Sequence, residues 1–219
     1  MDLNITNEAV TDHIRGLYTP IDSDMAEFRK EAVEAGVPVI MEETEMLINT
    51  IMIILRPHNI LEIGTALGYS ACFMSKALEG DVKITTIEKN YESFMKANDN
   101  VAQQKCSESI DLICDDAVHA LKQLRDGGRM YDFVFIDAAK SHYRSFWDEV
   151  VKMVHRGSVI LCDNVLMRGT TVIPPEEAEH KHRTNIRNMR EFLEYICGLE
   201  NVQTSVVAAG DGVSISYIK

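Results

Sequence analysis

The sequence predicts an α/β fold of the doubly wound type, and three observations carry that expectation. An apolar run leads into a glycine turn and then the start of a helix in NILEIGTALGYS, residues 59–70. From there, apolar runs of strand length alternate with helical patterns as far as Asp163. The chain then closes with a helix and two β-rich runs, 202–208 and 213–218, separated by Gly210-Asp211-Gly212, a pattern that predicts an antiparallel hairpin. Together these describe a Rossmann-like, mostly parallel seven-stranded sheet with an antiparallel C-terminal hairpin and N-terminal helices.

The elements follow in order. Val10, Ile14 and Leu17 predict a first amphipathic helix that ends near Thr19-Pro20. Asp22 or Ser23 can cap a second helix that reaches Gly36, and Met46, Leu47, Ile51 and Ile54 mark a third. The apolar segment Val37–Met41 between them is too short for a helix. The predicted strands are 59–63, 83–88, 109–114, 131–137 and 158–163. Helical patterns lie between them at 71–78, 91–105, 117–124 and 143–154, and a further helix covers 184–197. IPPEEAE, residues 173–179, reads as a mobile loop. The whole chain, 1–219, is expected to form one domain, with 1–56 as a helical cap and 57–219 as the core.

Composition bounds the function. Lys and Arg number 22 against 34 Asp and Glu, for a net charge of −12, which disfavours non-specific binding of polyanions but leaves room for a local basic patch. Cys72, Cys106, Cys114, Cys162 and Cys197 are dispersed and form no C-x-x-C pair, so neither a zinc site nor a disulfide framework is expected. No basic, apolar leader opens the sequence, and no apolar run is long enough to span a bilayer. A soluble cytoplasmic protein is the expectation.

The glycine turn reads E-x-G-x-x-x-G, which is not the dinucleotide spacing G-x-G-x-x-G. A carboxylate at Glu62 would repel a diphosphate and suits a cationic ligand, so S-adenosylmethionine fits better than NAD. The remaining strand ends are also acidic or amide: Glu88, Asp115-Asp116, Asp137 and Asp163-Asn164. Ligands of open α/β sheets bind beyond this edge. Glu88, about twenty residues past the turn, is placed to reach ribose hydroxyls. Asp116 and Ala117 can meet the adenine, although an Asp there is also an ordinary helix cap. Asp137, Asp163 and Asn164 offer only oxygen ligands, a set that suits Mg²⁺ or another hard divalent cation. Lys140, three residues after Asp137, can serve as a general base if its surroundings lower its pKa. After the acidic EEAE come Lys181, Arg183, Arg187 and Arg190, with Arg168 nearby in sequence. Three of these arginines recur at helical spacing, a footprint suited to phosphate contacts or to a solvated helix face.

EIGTALGYS, Glu88, YDFVFIDAAKSHY and ILCDNVLMRG together resemble the cation-dependent class I O-methyltransferases, the group of the catechol and caffeoyl-CoA O-methyltransferases, over nearly the whole chain. Within that group the segments VPVIMEETEMLI, KHRTNIRNMREF and AAGDGVSIS are most similar to bacterial tRNA 5-hydroxyuridine methyltransferases. The resemblance implies Mg²⁺ on Asp137, Asp163 and Asn164, and Lys140 as base, with Asp137 also near the cofactor's methionyl end. It implies Met41, Glu62, Gly64 and Ser70 around the methionine part of S-adenosylmethionine, Glu88 at the ribose, and Asp116 with Ala117 at the adenine. Where the family often has Gly-Asp-Ala after the third strand, this chain has Asp115-Asp116-Ala117. The implied substrate is tRNA, contacted by Arg168, Lys181, Arg183 and Arg187. The alternative is a small catechol or caffeoyl-CoA-like acceptor, and a homodimer is expected in either case. Two other readings are an NAD-dependent dehydrogenase, which lacks its fingerprint here, and an RNA-binding protein with a vestigial cofactor site.

Overall fold

A computed structural model describes residues 5–219 of the chain. Three helices come first: α1 (Glu8–Arg15), α2 (Ser23–Glu34) and α3 (Glu42–Leu55). Each begins where local chemistry satisfies its free amides or favours the helix dipole. The Asn7 side chain accepts from Ala9 N, Asp22 accepts from Met25 N at 2.7 Å, and α3 opens with Glu42, Glu43 and Glu45. The alternating core then runs β1 (Asn59–Ile63), α4 (Tyr69–Ala77), β2 (Lys83–Glu88), α5 (Tyr91–Gln103), β3 (Ile110–Cys114), α6 (Ala117–Asp126), β4 (Tyr131–Ile136), α7 (Tyr143–Val150) and β5 (Val154–Cys162). It ends with α8 (Arg183–Cys197), β6 (Val202–Val207) and β7 (Val213–Ile218).

These strands form one seven-stranded sheet in the order β3-β2-β1-β4-β5-β7-β6, parallel except for β7, which runs antiparallel to both β5 and β6. Side chains alternate across it with the strand period. On β4, Phe133 and Phe135 enter the layer under α2–α5, whereas Val134 and Ile136 enter the opposite layer with Trp147 and Phe192 of α7 and α8. Both faces are therefore covered, as a parallel sheet requires.

One expected boundary is corrected. The helix expected over 143–154 ends at Val150, and β5 begins at Val154, four residues earlier than expected. Tyr131 N bonds to Met153 O at 2.8 Å and Tyr131 pairs with Val154, so the edge of β4 captures backbone that helical periodicity had claimed. A bulge with Gly157 at φ 99° then restores the register at Phe133–Val159.

A buried polar cluster fixes the N-terminal helices to the core. Glu45 of α3 is 1% exposed and accepts from Tyr18 at 2.6 Å, from Tyr69 of α4 at 2.7 Å and from Arg29 of α2, whose guanidinium lies over both tyrosine rings. A buried ion pair of this kind gives specificity of docking more than net stability, because desolvation offsets the attraction. Val10 and Ile14 of α1, Leu17 after it, and Ile53 and Ile54 of α3 remain exposed. No helix among the described residues is long and apolar enough to cross a membrane.

At the edge opposite the strand C-termini, Asp132 accepts from His58 N and Asn59 N, each at 2.8 Å, and pairs with His155 Nε2 at 3.0 Å. Partial burial pushes the Asp132 carboxyl up, but the Asn59 amide, the His155 ring and the His58 amide outweigh it and hold it below the usual range. The Arg156 carbonyl and the Asp132 carboxylate raise the His155 pKa. The carboxyl's contribution is present above an unfolded pKa of about 3.9 and fades as pH falls; that of His155 is present below about 6.5 and is lost as pH rises. Asp132→Ala is expected to cost about 1–2 kcal/mol at pH 6, read from urea unfolding. His155→Ala should destabilise more at pH 5.5 than at pH 8.5.

Candidate active site

The sheet order sets where a site can form. The connections from β1 run outward through β2 to β3, and those from β4 run the other way through β5, so the switch point lies between β1 and β4. Gly64 stands there with φ 105°, and a Cβ on it would lie 2.0 Å from the Asp137 carbonyl oxygen. Only glycine permits this approach. The turn continues through Ala66 and Gly68, both at positive φ, and Gly64 N and Thr65 N both donate to Ile87 O.

Beneath the turn, Glu62 is fully buried. Its two oxygens accept from Ser70 Oγ and, at 2.5 Å, from Thr86 Oγ1. Thr65 Oγ1 lies 2.6 Å from Thr86 Oγ1, and because Thr86 donates to Glu62, Thr65 must donate to Thr86. Burial pushes the Glu62 pKa up to about 7 against the pull of these hydroxyls. Glu62 does not line the cavity. It orients Ser70, whose hydrogen points inward and whose lone pairs face outward. The sequence reading sets Glu62 beside the methionine part of the cofactor; here its carboxylate is buried directly behind Ser70, which lines the hollow.

Two hollows meet at Gly64 and Asp137. One, of about 460 Å³, is lined by Glu88, Asp116, Ala117, Val118, His142 and Phe146, among others. The Glu88 carboxylate accepts from Ala66 N at 2.9 Å and Asn90 N at 2.7 Å, which ties the glycine turn to the end of β2. Asp116 caps α6 through Val118 N and His119 N, and Lys89, 3.2 Å away, holds its carboxyl below the usual range. The cap reading and the pocket reading of Asp116 thus coexist. The other hollow, of about 360 Å³, is lined by Met41, Ser70, Lys140, Asp163, Asn164 and Arg168, among others.

Asp137, Asp163, Asn164 and Lys140 come together as the sequence spacing implied. Lys140 opens a short 3₁₀ turn, Lys140–His142, and its Nζ lies 3.1 Å from Asp137 Oδ1 and 2.6 Å from Asn164 Oδ1. Asp163 is 2% exposed; burial and then the Asp137 charge push its pKa up to about 7. Tyr143 OH donates to the Asp163 carbonyl at 2.8 Å and fixes its backbone. Among the described residues, no three His, Cys, Asp or Glu side chains group to hold a metal. The set here reaches three oxygen donors only with the Asn164 amide. The Lys140 ammonium stands in for a cation between Asp137 and Asn164, and the buried, proton-attracting Asp163 lies beside it, so the donor chemistry fits a hard divalent ion.

The expected basic stripe does not face solvent as a unit. Arg183 donates to the carbonyls of Ala178 (2.9 Å) and Glu176 (3.0 Å), and Arg190 to those of Thr171 (2.9 Å) and Ile173 (3.5 Å). The segment read as mobile, 173–179, is pinned by these two side chains through the carbonyls of Ile173, Glu176 and Ala178. Lys181 pairs with Glu179 at 3.2 Å, and Arg187 is exposed. The loop walls a trough of about 740 Å³ that Lys140, Arg168, His182, Ile186 and Asp211 also line.

The family described as O-methyltransferase matches residues 21–218. The chain belongs to that family. A curated relative, the tapetum-specific methyltransferase 1 of Arabidopsis thaliana, is 30% identical over 183 residues, 83% of this chain and 77% of the relative. Among solved structures, a Staphylococcus aureus protein provisionally named a caffeoyl-CoA O-methyltransferase superposes with TM-score 0.89 at 25% identity, over 97% of this chain and all of that one. The O-methyltransferase TomG of Streptomyces achromogenes, involved in tomaymycin synthesis and solved in complex with S-adenosylmethionine, shares the fold at TM-score 0.82 and 22% identity, covering 96% of each chain.

Some residues of this O-methyltransferase site gave no sequence signal. Thr65 and Thr86, which complete the Glu62 network, look like ordinary strand and turn residues. Asp211 reads as part of a hairpin turn, yet it lines both the smaller hollow and the trough. Gly64→Ala is expected to separate β1 from Asp137, costing about 2–4 kcal/mol of stability and abolishing binding at the turn, as read by thermal unfolding and cofactor titration.

Proposed function

We propose that the protein methylates one of two adjacent oxygens on its acceptor, using S-adenosylmethionine and a divalent cation, Mg²⁺ being the expected one. The observation that carries this reading is the convergence of Asp137 and Asn164 on one cationic nitrogen beside buried Asp163, at the junction of two hollows. S-adenosylmethionine supplies a sulfonium-activated methyl group, and a divalent cation lowers the pKa of a hydroxyl that it binds.

Glu88, Asp116 and Ala117 hold the adenosine end of the cofactor. Met41, Gly64, Ser70 and Asp137 surround its methionyl end, where Ser70, turned by Glu62, offers lone pairs to the ammonium. Asp137, Asp163 and Asn164 hold the cation. Were those oxygens engaged on a cation, Lys140 would lose its present partners, release its ammonium proton to solvent beside that positive charge, and as the free amine take the proton of the acceptor hydroxyl. The protein's main contribution to rate is holding oxygen and methyl in line at near-attack distance.

The family and the relatives named above favour a small acceptor of catechol or caffeoyl-CoA type. A second reading is 5-hydroxyuridine at the wobble position of tRNA, converted to 5-methoxyuridine, whose 5-hydroxyl and 4-carbonyl make an equivalent oxygen pair. Support for it comes from the segment resemblance and from a trough of about 740 Å³, far larger than a catechol ring, with exposed Arg168 at its border. Arg187 and Lys181 are the further candidates for phosphate contact. Exposed Val10, Ile14, Leu17, Ile53 and Ile54 support a homodimer, which light scattering checks.

Methyl transfer from labelled S-adenosylmethionine is expected with Mg²⁺ and is lost with chelator. Asp163→Ala should reduce turnover by at least about 100-fold while cofactor affinity stays within about threefold. Label in a catechol selects the first acceptor; label only in tRNA carrying 5-hydroxyuridine selects the second. Full activity in chelator would overturn the cation reading.

A further inference from the structure

The turn that follows β5 is held in an unusual shape. Asn164, Met167 and Arg168 have φ of 55°, 48° and 53°, in the left-handed region, and Gly169 follows at 76°. Non-glycine residues there cost about 1 kcal/mol or more each and persist only where surrounding structure over-determines them. What over-determines them is the distant β6–β7 turn. Val165 N donates to Gly212 O at 2.9 Å, Leu166 N donates to Asp211 O at 3.0 Å, and Arg168 N donates to the Asp211 carboxylate. Gly212 packs so tightly that a Cβ would lie 2.3 Å from Leu166 Cγ.

The same hairpin turn meets the other wall of the hollow. A Cβ on Gly210 would lie 2.4 Å from Thr44 Oγ1 and 3.5 Å from Met41 Cβ and Sδ. The turn is thus wedged between the Met41 side of the hollow and the segment that bears Asp163 and Asn164. Asp211 is the only residue of that turn that grips this segment with both main chain and side chain.

We propose that Asp211 is a positioning residue: by accepting the Arg168 and Leu166 amides it holds the 163–168 turn in the left-handed conformation that aims Asn164 Oδ1 at the same point as Asp137. This rests on the cation reading above. It assigns Asp211 no contact with the cation. A hydrogen-bond acceptor at this position is what the turn needs, and a charge is not required.

The test is Mn²⁺ binding to the full chain, read by electron paramagnetic resonance, with cofactor affinity and thermal midpoint measured alongside. Asp211→Ala is expected to weaken Mn²⁺ binding about 10- to 100-fold, the range for lost outer-shell support. Asp211→Asn keeps an oxygen for the Arg168 amide and should stay within about threefold of the wild type. Gly212→Ala, which displaces Leu166 with every carboxylate intact, should reproduce the loss, and it serves as the second test if Asp211→Ala does not fold. Equal loss in the Asn and Ala variants would overturn the proposal in favour of a charge role. Unchanged binding in both Asp211→Ala and Gly212→Ala would overturn it outright. Absence of Mn²⁺ binding in the wild-type protein would instead overturn the cation reading itself.

Discussion

The contact between Gly64 and the Asp137 carbonyl is the constraint on which the rest of the site depends. It exists because β1 and β4 are sheet neighbours whose connections leave in opposite directions, opening a crevice at their C-terminal ends. With no Cβ between them, the turn after β1 and the carboxylate after β4 share one wall, and the two hollows meet there. Any side chain at position 64 would part the strands or swing Asp137 away from Lys140 and Asn164. The backbone thereby fixes the carboxylate to within a hydrogen bond's tolerance before any side-chain interaction is counted.

Concentrating acids at one edge has a cost that the structure manages residue by residue. Glu62 gains two hydroxyl donors, Glu88 two amides, Asp116 a helix N-terminus and Lys89, and Asp137 the Lys140 ammonium. The Asp163 carboxylate accepts from the Asn164 amide at 2.6 Å, and burial together with the Asp137 charge displaces its pKa upward. On the reading proposed above, a divalent cation beside Asp163 and Asp137 would favour the charged form of both carboxylates.

The strand ends were legible in the sequence because their chemistry is local. An apolar run of strand length ending in Glu, Asp or Asn places that side chain at the sheet edge whatever the rest of the chain does. Hence Glu88, Asp137, Asp163 and Asn164 lie where the spacing put them. Periodicity cannot report pairings between distant segments. The β5 bulge, the Glu45 cluster that joins α2, α3 and α4, and the docking of the 209–212 turn on both Met41 and Leu166 all arise between segments far apart in sequence. The hydroxyl partners of Glu62 were illegible for a related reason: Thr86 lies on the neighbouring strand and Ser70 on the next helix, and composition carries no trace of those pairings. Arg183 and Arg190 show the same limit from the surface side. Their helical spacing is real, but the partners that use it are carbonyls of a loop.

Those two arginines also anchor the loop independently of the strand-end carboxylates. Asp137, Asp163 and Asn164 stand at strand ends and on a turn locked by main-chain hydrogen bonds, so they tolerate little displacement. The trough wall between Thr171 and Ala178 is held instead by guanidinium donors bonded to backbone oxygens. Carbonyls are common to every residue type, so this anchoring leaves Val172, Ile173, Pro174 and Glu177 free to differ without loosening the loop. If the trough takes the acceptor, as proposed above, side chains there could change with its size and charge while Asp137, Asp163, Asn164 and Lys140 keep their geometry. On the reading proposed above, such an arrangement would keep methyl transfer constant and let the loop decide what is methylated.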